Sequence, residues 1–249
     1  MTTKGTADII FCIDASDSMQ PCFDGLRKHI GTFASGLASS GQTNWDLRLD
    51  YVAHHASEEN EQTVFRHSSL FNGELTEPLY RKTPQTGKFF TADVEEFKRG
   101  LNAVELSGNE APLVALDFCL DFPWRDAANC HRAIVLMTDE AFETGAAMTL
   151  QKSRLRDLIG KIMSLKVMLY IVAPQSAVFD ELSSVDRCEY IPVDDSGNGL
   201  AKVDFAELLA YIGKSVSQSS PLQTPLLSVT RGLYGQENWT QTQKGLTGK

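Results

Sequence analysis

No stretch of the chain reaches the roughly 18 consecutive apolar residues of a membrane span. The best candidate, residues 167–174, has the length of a buried strand. Positive charge is in deficit: 23 Lys and Arg stand against 32 Asp and Glu, a net charge of −9 and a pI of about 5.1. A basic stripe that could displace counterions from phosphates is therefore missing, which argues against a nucleic-acid partner. The five cysteines (Cys12, Cys22, Cys119, Cys130 and Cys188) contain no Cys-x-x-Cys. Odd in number and widely spaced, they suit neither a disulfide framework nor a paired-thiolate zinc site. Reduced thiols in a cytoplasmic chain are expected, with Cys12 and Cys119 as small core residues. No signal peptide separates Met1 from the first strand-like run, which supports the same compartment. Neither Gly-x-x-x-x-Gly-Lys nor Gly-x-Ser-x-Gly occurs, so P-loop and α/β-hydrolase chemistry have no anchor.

What remains is 249 residues, 42% hydrophobic and 22% charged, enough for a self-sufficient core. Residues 7–13 are nearly continuously apolar, as in a parallel strand covered on both faces. Phe23, Leu26, Ile30, Phe33 and Leu37 then recur at helical spacing. Residues 46–54 alternate, predicting a half-buried strand near a sheet edge, and residues 63–70 pair with it as a hairpin. Residues 74–88, with two prolines and a glycine, read as loop. Helices are expected around Val94–Val104 positions, after Pro112, around Leu155–Ile162 positions, over 178–185 and over 204–217. The first of these carries Asp93 and Glu96 as a capping pair, and the last carries Asp204 and Glu207. Strands alternate with them at 132–137, 166–173 and 188–193. This alternation predicts an α/β, Rossmann-like doubly wound sheet, mostly parallel, with one antiparallel edge strand and helices on both faces.

Residues 1–218 form one domain in this reading. Residues 219–249 change to Ser, Thr, Gln, Gly and Pro and read as a polar tail, disordered or docking on a partner or on its own domain. The tail's Arg231, Lys244, Lys249 and Glu237 sum to +2, leaving −11 on the domain. His54-His55 reads as a pair of surface or edge histidines, and Lys152, Arg154, Arg156 and Lys161 as a solvated helix face.

Three polar clusters follow apolar strands or precede a helix, where open α/β sheets bind ligands. Asp14-Ala15-Ser16-Asp17-Ser18 follows the first strand, Glu110 precedes the Pro112 helix, and Asp139 follows residues 132–137. Carboxylates and hydroxyls together make an all-oxygen donor set, which hard divalent cations prefer. Alternate residues 14, 16 and 18 can point into one turn. A polar loop that only caps the next helix is the competing reading of the pentapeptide.

In this order, the clusters resemble the von Willebrand factor A-type domain with its metal-ion-dependent adhesion site, in an intracellular standalone form. Asp14, Ser16 and Ser18 match its Asp-x-Ser-x-Ser motif. Gly108-Asn109-Glu110-Ala111-Pro112 looks like the second motif and Val135-Leu136-Met137-Thr138-Asp139 like the third. The resemblance covers residues 6–218 and implies metal ligands at Asp14, Ser16, Ser18, Glu110 and Asp139. The family commonly has Thr where this chain has Glu110; a carboxylate there makes the site more negative and softens the metal's pull on a ligand. A set of Asp14, Ser16, Ser18 and Asp139, with Glu110 turned away, stands beside it.

The resemblance implies Mg²⁺, with Mn²⁺ or Ca²⁺ as substitutes, and a partner protein whose Asp or Glu completes the metal's coordination. It implies an adaptor rather than an enzyme, serving an AAA+ ATPase, a kinase or a stress-response assembly, with neither nucleic acid nor membrane as partner. Two other classes compete: a metal-independent scaffold, and a Mg²⁺-dependent phosphatase or hydrolase using Asp14 as nucleophile. The latter lacks a second Asp at position 16, which is Ser.

Overall fold

The computed structural model describes residues 4–38, 44–56, 63–68, 74–78, 89–141, 148–195 and 197–218, with backbone alone at 4, 38, 44, 63–68, 74–78 and 148–150. Residues 219–249 lie outside that set. Among the described residues seven strands form one sheet: β1 (Lys4–Asp14), β2 (Asn44–Ala56), β3 (Thr63–Ser68), β4 (Glu74–Pro78), β5 (His131–Met137), β6 (Met168–Pro174) and β7 (Cys188–Val193). Their spatial order is β4-β3-β2-β1-β5-β6-β7. Strands β2, β1, β5, β6 and β7 are mutually parallel, β3 runs antiparallel to β2, and β4 antiparallel to β3. The doubly wound α/β class expected from the alternation of elements is what forms.

Period-2 alternation splits β1 between two cores. Ala7, Ile9, Phe11 and Ile13 face α1 (Gln20–Ala38), α2 (Val94–Asn102) and α7 (Phe205–Gln218), meeting Leu26, Ile30, Phe97, Leu208 and Ile212. Ile10 and Cys12 face α3 (Pro112–Leu120), α5 (Leu155–Leu165) and α6 (Ala177–Leu182), meeting Leu116, Leu158 and Phe179. A further short helix, α4 (Met148–Ser153), precedes α5. All five cysteines are free and buried, Cys12 and Cys119 in the core as their apolar runs implied. Burying a large apolar side chain contributes roughly 1.5–3 kcal/mol. Two such cores can therefore carry an unfavourable polar cluster at one end of the sheet.

Four expectations need correction. Residues 74–88 are not all loop, because Glu74–Pro78 pairs with β3. Its proline lies at the last position of an edge strand, where a missing N–H removes no bond from a second neighbour. The sheet edge is thus β4, and the antiparallel strand β3 lies one place inside it. Strand β2 is interior, and its polar face is covered: Asp50 accepts from the N–H groups of Tyr51 and Phe90, both at 2.8 Å. His54 and His55 are buried rather than at a surface or edge, because β3 and the 107–109 loop flank the end of β2. The supposed solvated run is partly paired: Lys161 bridges Asp117 at 2.7 Å and Asp121 at 2.5 Å, and Arg154 reaches Asp117 at 3.6 Å.

Candidate metal centre

After β1 the chain moves outward through β2, β3 and β4, then crosses back to add β5 on the other side of β1. The order reverses between β1 and β5, and their carboxyl ends lie side by side, with Ile13 opposite Met137. Ligands of open α/β sheets bind in the crevice at such a switch point. Asp14 is the last residue of β1, and Thr138-Asp139 directly follows β5.

The residues meet through a chain of hydrogen bonds. The Ser16 N–H donates to Asp14 Oδ1 at 2.8 Å, the side-chain turn that Asp-x-Ser favours. Thr138 Oγ1 donates to Asp14 Oδ2 at 2.8 Å. The hydroxyls of Ser16 and Ser18 lie 3.2 Å apart, and Ser18 Oγ donates to Asp139 Oδ1 at 3.1 Å. Asp139 Oδ2 accepts from the Gly199 N–H at 2.5 Å. Asp14, Ser16, Thr138 and Asp139 are buried and Ser18 is half-buried. Thr138 and Gly199 had not been singled out in the sequence. The legible signals were a hydroxyl beside Asp139 and the Gly-Asn-Gly before the last helix.

Strand β1 carries two fully buried carboxylates, one near its middle and one at its carboxyl end, and they differ in what balances them. Asp8 receives Arg48 Nε and Nη2 at 2.9 and 2.7 Å and Arg125 Nε at 2.8 Å. Burial works against its charge, but these two guanidiniums hold its carboxyl below the usual range. Asp14 has no such counter-charge. Burial, then the charge of Glu110, and more weakly that of Asp139, push it up to about 8 against the bonds from Ser16 and Thr138. Burial and the charges of Glu140 and Asp139 raise Glu110; burial and the charges of Asp139 and Asp195 raise Glu140. Excess negative charge has collected at the ends of β1 and β5, and among the described residues no cationic side chain balances Asp14.

Two glycines shape the rim. Gly108 has φ +76°, and a Cβ there would sit 2.2 Å from the Ala56 carbonyl oxygen, so only glycine allows the Glu110 loop to lie on β2. That loop is tied down by Asn109–Ala56 backbone bonds and by the Ser107 N–H to the Ala15 carbonyl at 2.9 Å. Gly199 has φ +59°, and a Cβ there would meet the Ser18 carbonyl oxygen at 1.9 Å. The segment feeding α7 thus rests directly on the Asp-x-Ser-x-Ser turn.

The donor set suits a hard divalent cation. It offers oxygens alone, two hydroxyls beside two carboxylates, and one of those carboxylates is buried without a counter-ion. Among the described residues no group of three or more His, Cys, Asp and Glu side chains could hold a metal ion. Hydrogen bonds bring together Asp14, Ser16, Ser18 and Asp139, while half-buried Glu110 acts on Asp14 through its charge.

No family model and no curated protein matches the chain. Two solved structures of proximal thread matrix protein 1 from the mussel byssus are similar at 13% identity, with TM-scores of 0.45 and 0.47. Each alignment covers 84% of this chain and 46% of that one, and the second is described with a zinc-occupied MIDAS motif. A von Willebrand factor type A protein from Catenulispora acidiphila is similar at 16% identity over 85% of this chain and 43% of its own, with a TM-score of 0.47. The chain spans less than half the length of each of these structures. Its own strand order, with the antiparallel β3 beside β2 and polar turns at the β1/β5 crevice, is that of a doubly wound, mostly parallel α/β fold.

Proposed function

We propose that this chain is a divalent-metal-dependent protein-interaction module. Asp14, Ser16, Ser18 and Asp139 would hold Mg²⁺, with Mn²⁺ or Ca²⁺ as substitutes, and Glu110 would add negative charge beside them. Bound there, the cation supplies a positive centre able to accept an Asp or Glu carboxylate from another protein. The uncompensated burial of Asp14, set against the doubly paired Asp8 on the same strand, is the observation that carries this reading. The Ser16 N–H and Thr138 hydroxyl hold the Asp14 carboxylate in place, and the Gly199 N–H holds Asp139. An adaptor role without catalysis, in the cytoplasm, goes with this reading; an AAA+ ATPase, a kinase or a stress-response assembly is the kind of machine it would serve.

Titration calorimetry with Mg²⁺ and Mn²⁺ tests the metal. Saturable heat should vanish in an Asp14→Ala/Ser16→Ala double variant, and the absence of heat at millimolar metal in the native chain sinks the proposal. Affinity capture with Mg²⁺ and with a chelator tests the partner, which should be lost with chelator and with the variant. A second reading, a metal-independent scaffold, draws on the hydrogen bonds that the cluster already makes within itself. A partner retained equally under all four conditions favours it. Hydrolysis of a phosphate ester that depends on Mg²⁺ and on Asp14 would instead favour an enzyme.

A further inference from the structure

Away from the polar crevice, α1 and α7 do not close fully on one another. Between the C-terminal halves of both helices and the start of β2 lies an apolar cleft of about 580 Å³. Its apolar lining comes from Phe33, Leu37, Trp45 and Leu209. Gly36 on α1 and Ala210 and Gly213 on α7 also line it, and a Cβ at Gly36 would meet nothing within 4 Å. Trp45 is buried, and its indole N–H has no acceptor among the described residues. A cleft in the roughly 300–1,000 Å³ range of ligand pockets, with a buried donor lacking an acceptor beside it, suits an apolar chain that also offers backbone carbonyls.

We infer that the occupant is the chain's own segment 219–230. Ser217 and Gln218, the last residues of α7, themselves line the cleft, so this segment begins at its mouth. Tethering at so short a distance gives an effective concentration in the millimolar range, which a free partner rarely matches. Residues 219–230 contain no charged side chain and present Leu222, Leu226, Leu227 and Val229; the first charge is Arg231. Pro221 and Pro225 bias the residues before them to extended backbone. At about 3.1 Å per residue, seven such residues match the roughly 21 Å rise of α7, so the segment can turn and return along the cleft. Apolar side chains would fill the space beside Phe33 and Leu209, and a backbone carbonyl would meet the Trp45 N–H. This inference is independent of any metal at Asp14.

Hydrogen exchange on the full chain tests it, with a synthetic peptide of residues 219–231 as reference. Amides of residues 222–230 should exchange at least tenfold more slowly in the native chain than in the peptide. That protection should vanish in Leu226→Asp/Leu227→Asp. It should vanish as well when the cleft is filled from either wall, by Gly36→Phe or by Ala210→Trp, each checked for an unchanged circular dichroism spectrum. The labelled peptide should bind the Leu226→Asp/Leu227→Asp chain and not the native one. Exchange at the peptide rate in the native chain overturns the inference. So does protection that survives both cleft-filling variants, which would place the segment elsewhere. Protection that grows with protein concentration would assign the cleft to a second copy.

Discussion

At the scale of single residues, Asp8 and Asp14 show how one strand can place the same buried side chain in two different electrostatic settings. Two guanidiniums neutralise the first, whereas the second has hydrogen bonds but no cation. An Asp14→Asn variant keeps an oxygen for the Ser16 N–H and removes the repulsion with Glu110 and Asp139. Without metal it should therefore melt higher than the native chain, by a few degrees if relief is about 1 kcal/mol. Scanning calorimetry in chelator would show this, and added Mg²⁺ should raise the native midpoint while leaving the variant's unchanged. Gly199 offers a second test. A left-handed φ and a Cβ collision with the Ser18 carbonyl should make Gly199→Ala destabilising by about 1–3 kcal/mol, measured by urea unfolding. A cost of a few tenths would mean that the 197–199 turn simply moves aside. Asp14, Ser16, Ser18 and Asp139 could be picked out in the sequence because they lie in oxygen-rich turns that come just after apolar runs. The local signals of Thr138 and Gly199 did not reveal their roles, since each acts through a bond to a residue far along the chain.

The site is tied to one element in particular. Helix α7 follows the 197–199 turn, which touches Ser18 and Asp139, and it packs on α1 immediately after the Asp-x-Ser-x-Ser turn. A Cβ at Gly25 on α1 would lie 2.3 Å from the Phe205 ring at the start of α7. Gly25→Ala should therefore push α7 outward at a cost of about 1–3 kcal/mol, despite alanine's better helix propensity. Denaturant unfolding measures the loss, and a stabilised variant would mean that Phe205 turns away freely. If metal draws Asp139 and Ser18 together, amide exchange in residues 205–212 should slow on adding Mg²⁺. Unchanged exchange there would show that α7 does not sense the site. Element types were legible where periodicity was strong, as in β1, β5, β6 and α7. Strand β4 was not, because a short edge strand ending in proline shares its composition with loop. The capping pair of α2 was half right. Asp93 accepts from the N–H groups of Glu95 and Glu96, but Glu96 turns to the Thr91 hydroxyl at 2.5 Å.

At the scale of the molecule, pH acts through groups that the sequence placed wrongly or not at all. Burial, helped by the Arg187 charge, pushes His131 down to about 4 from its ordinary 6.5. The folded state thus favours neutral His131, packed 5.1 Å from the Trp45 ring. Its contribution to stability is complete above about pH 6.5 and is lost as pH falls towards 4, by up to about 3 kcal/mol. Unfolding free energies measured from pH 7.5 to 4 should fall accordingly, and His131→Phe should flatten that part of the curve. Parallel curves for the two proteins would refute the assignment.

The sequence by itself determined the alternation of strands and helices, the two-sided burial of β1, and the oxygen-rich turns after β1 and β5. These depend on side-chain period and local turn chemistry, which act within a few residues. Tertiary structure alone decided that Ser18 meets Asp139 across 121 positions and that Arg125 neutralises Asp8 across 117. It also decided that the end of β2 is covered and that α1 and α7 leave a cleft open. Charge balance and packing depend on distance through space, and the register of β1 against β5 sets those distances.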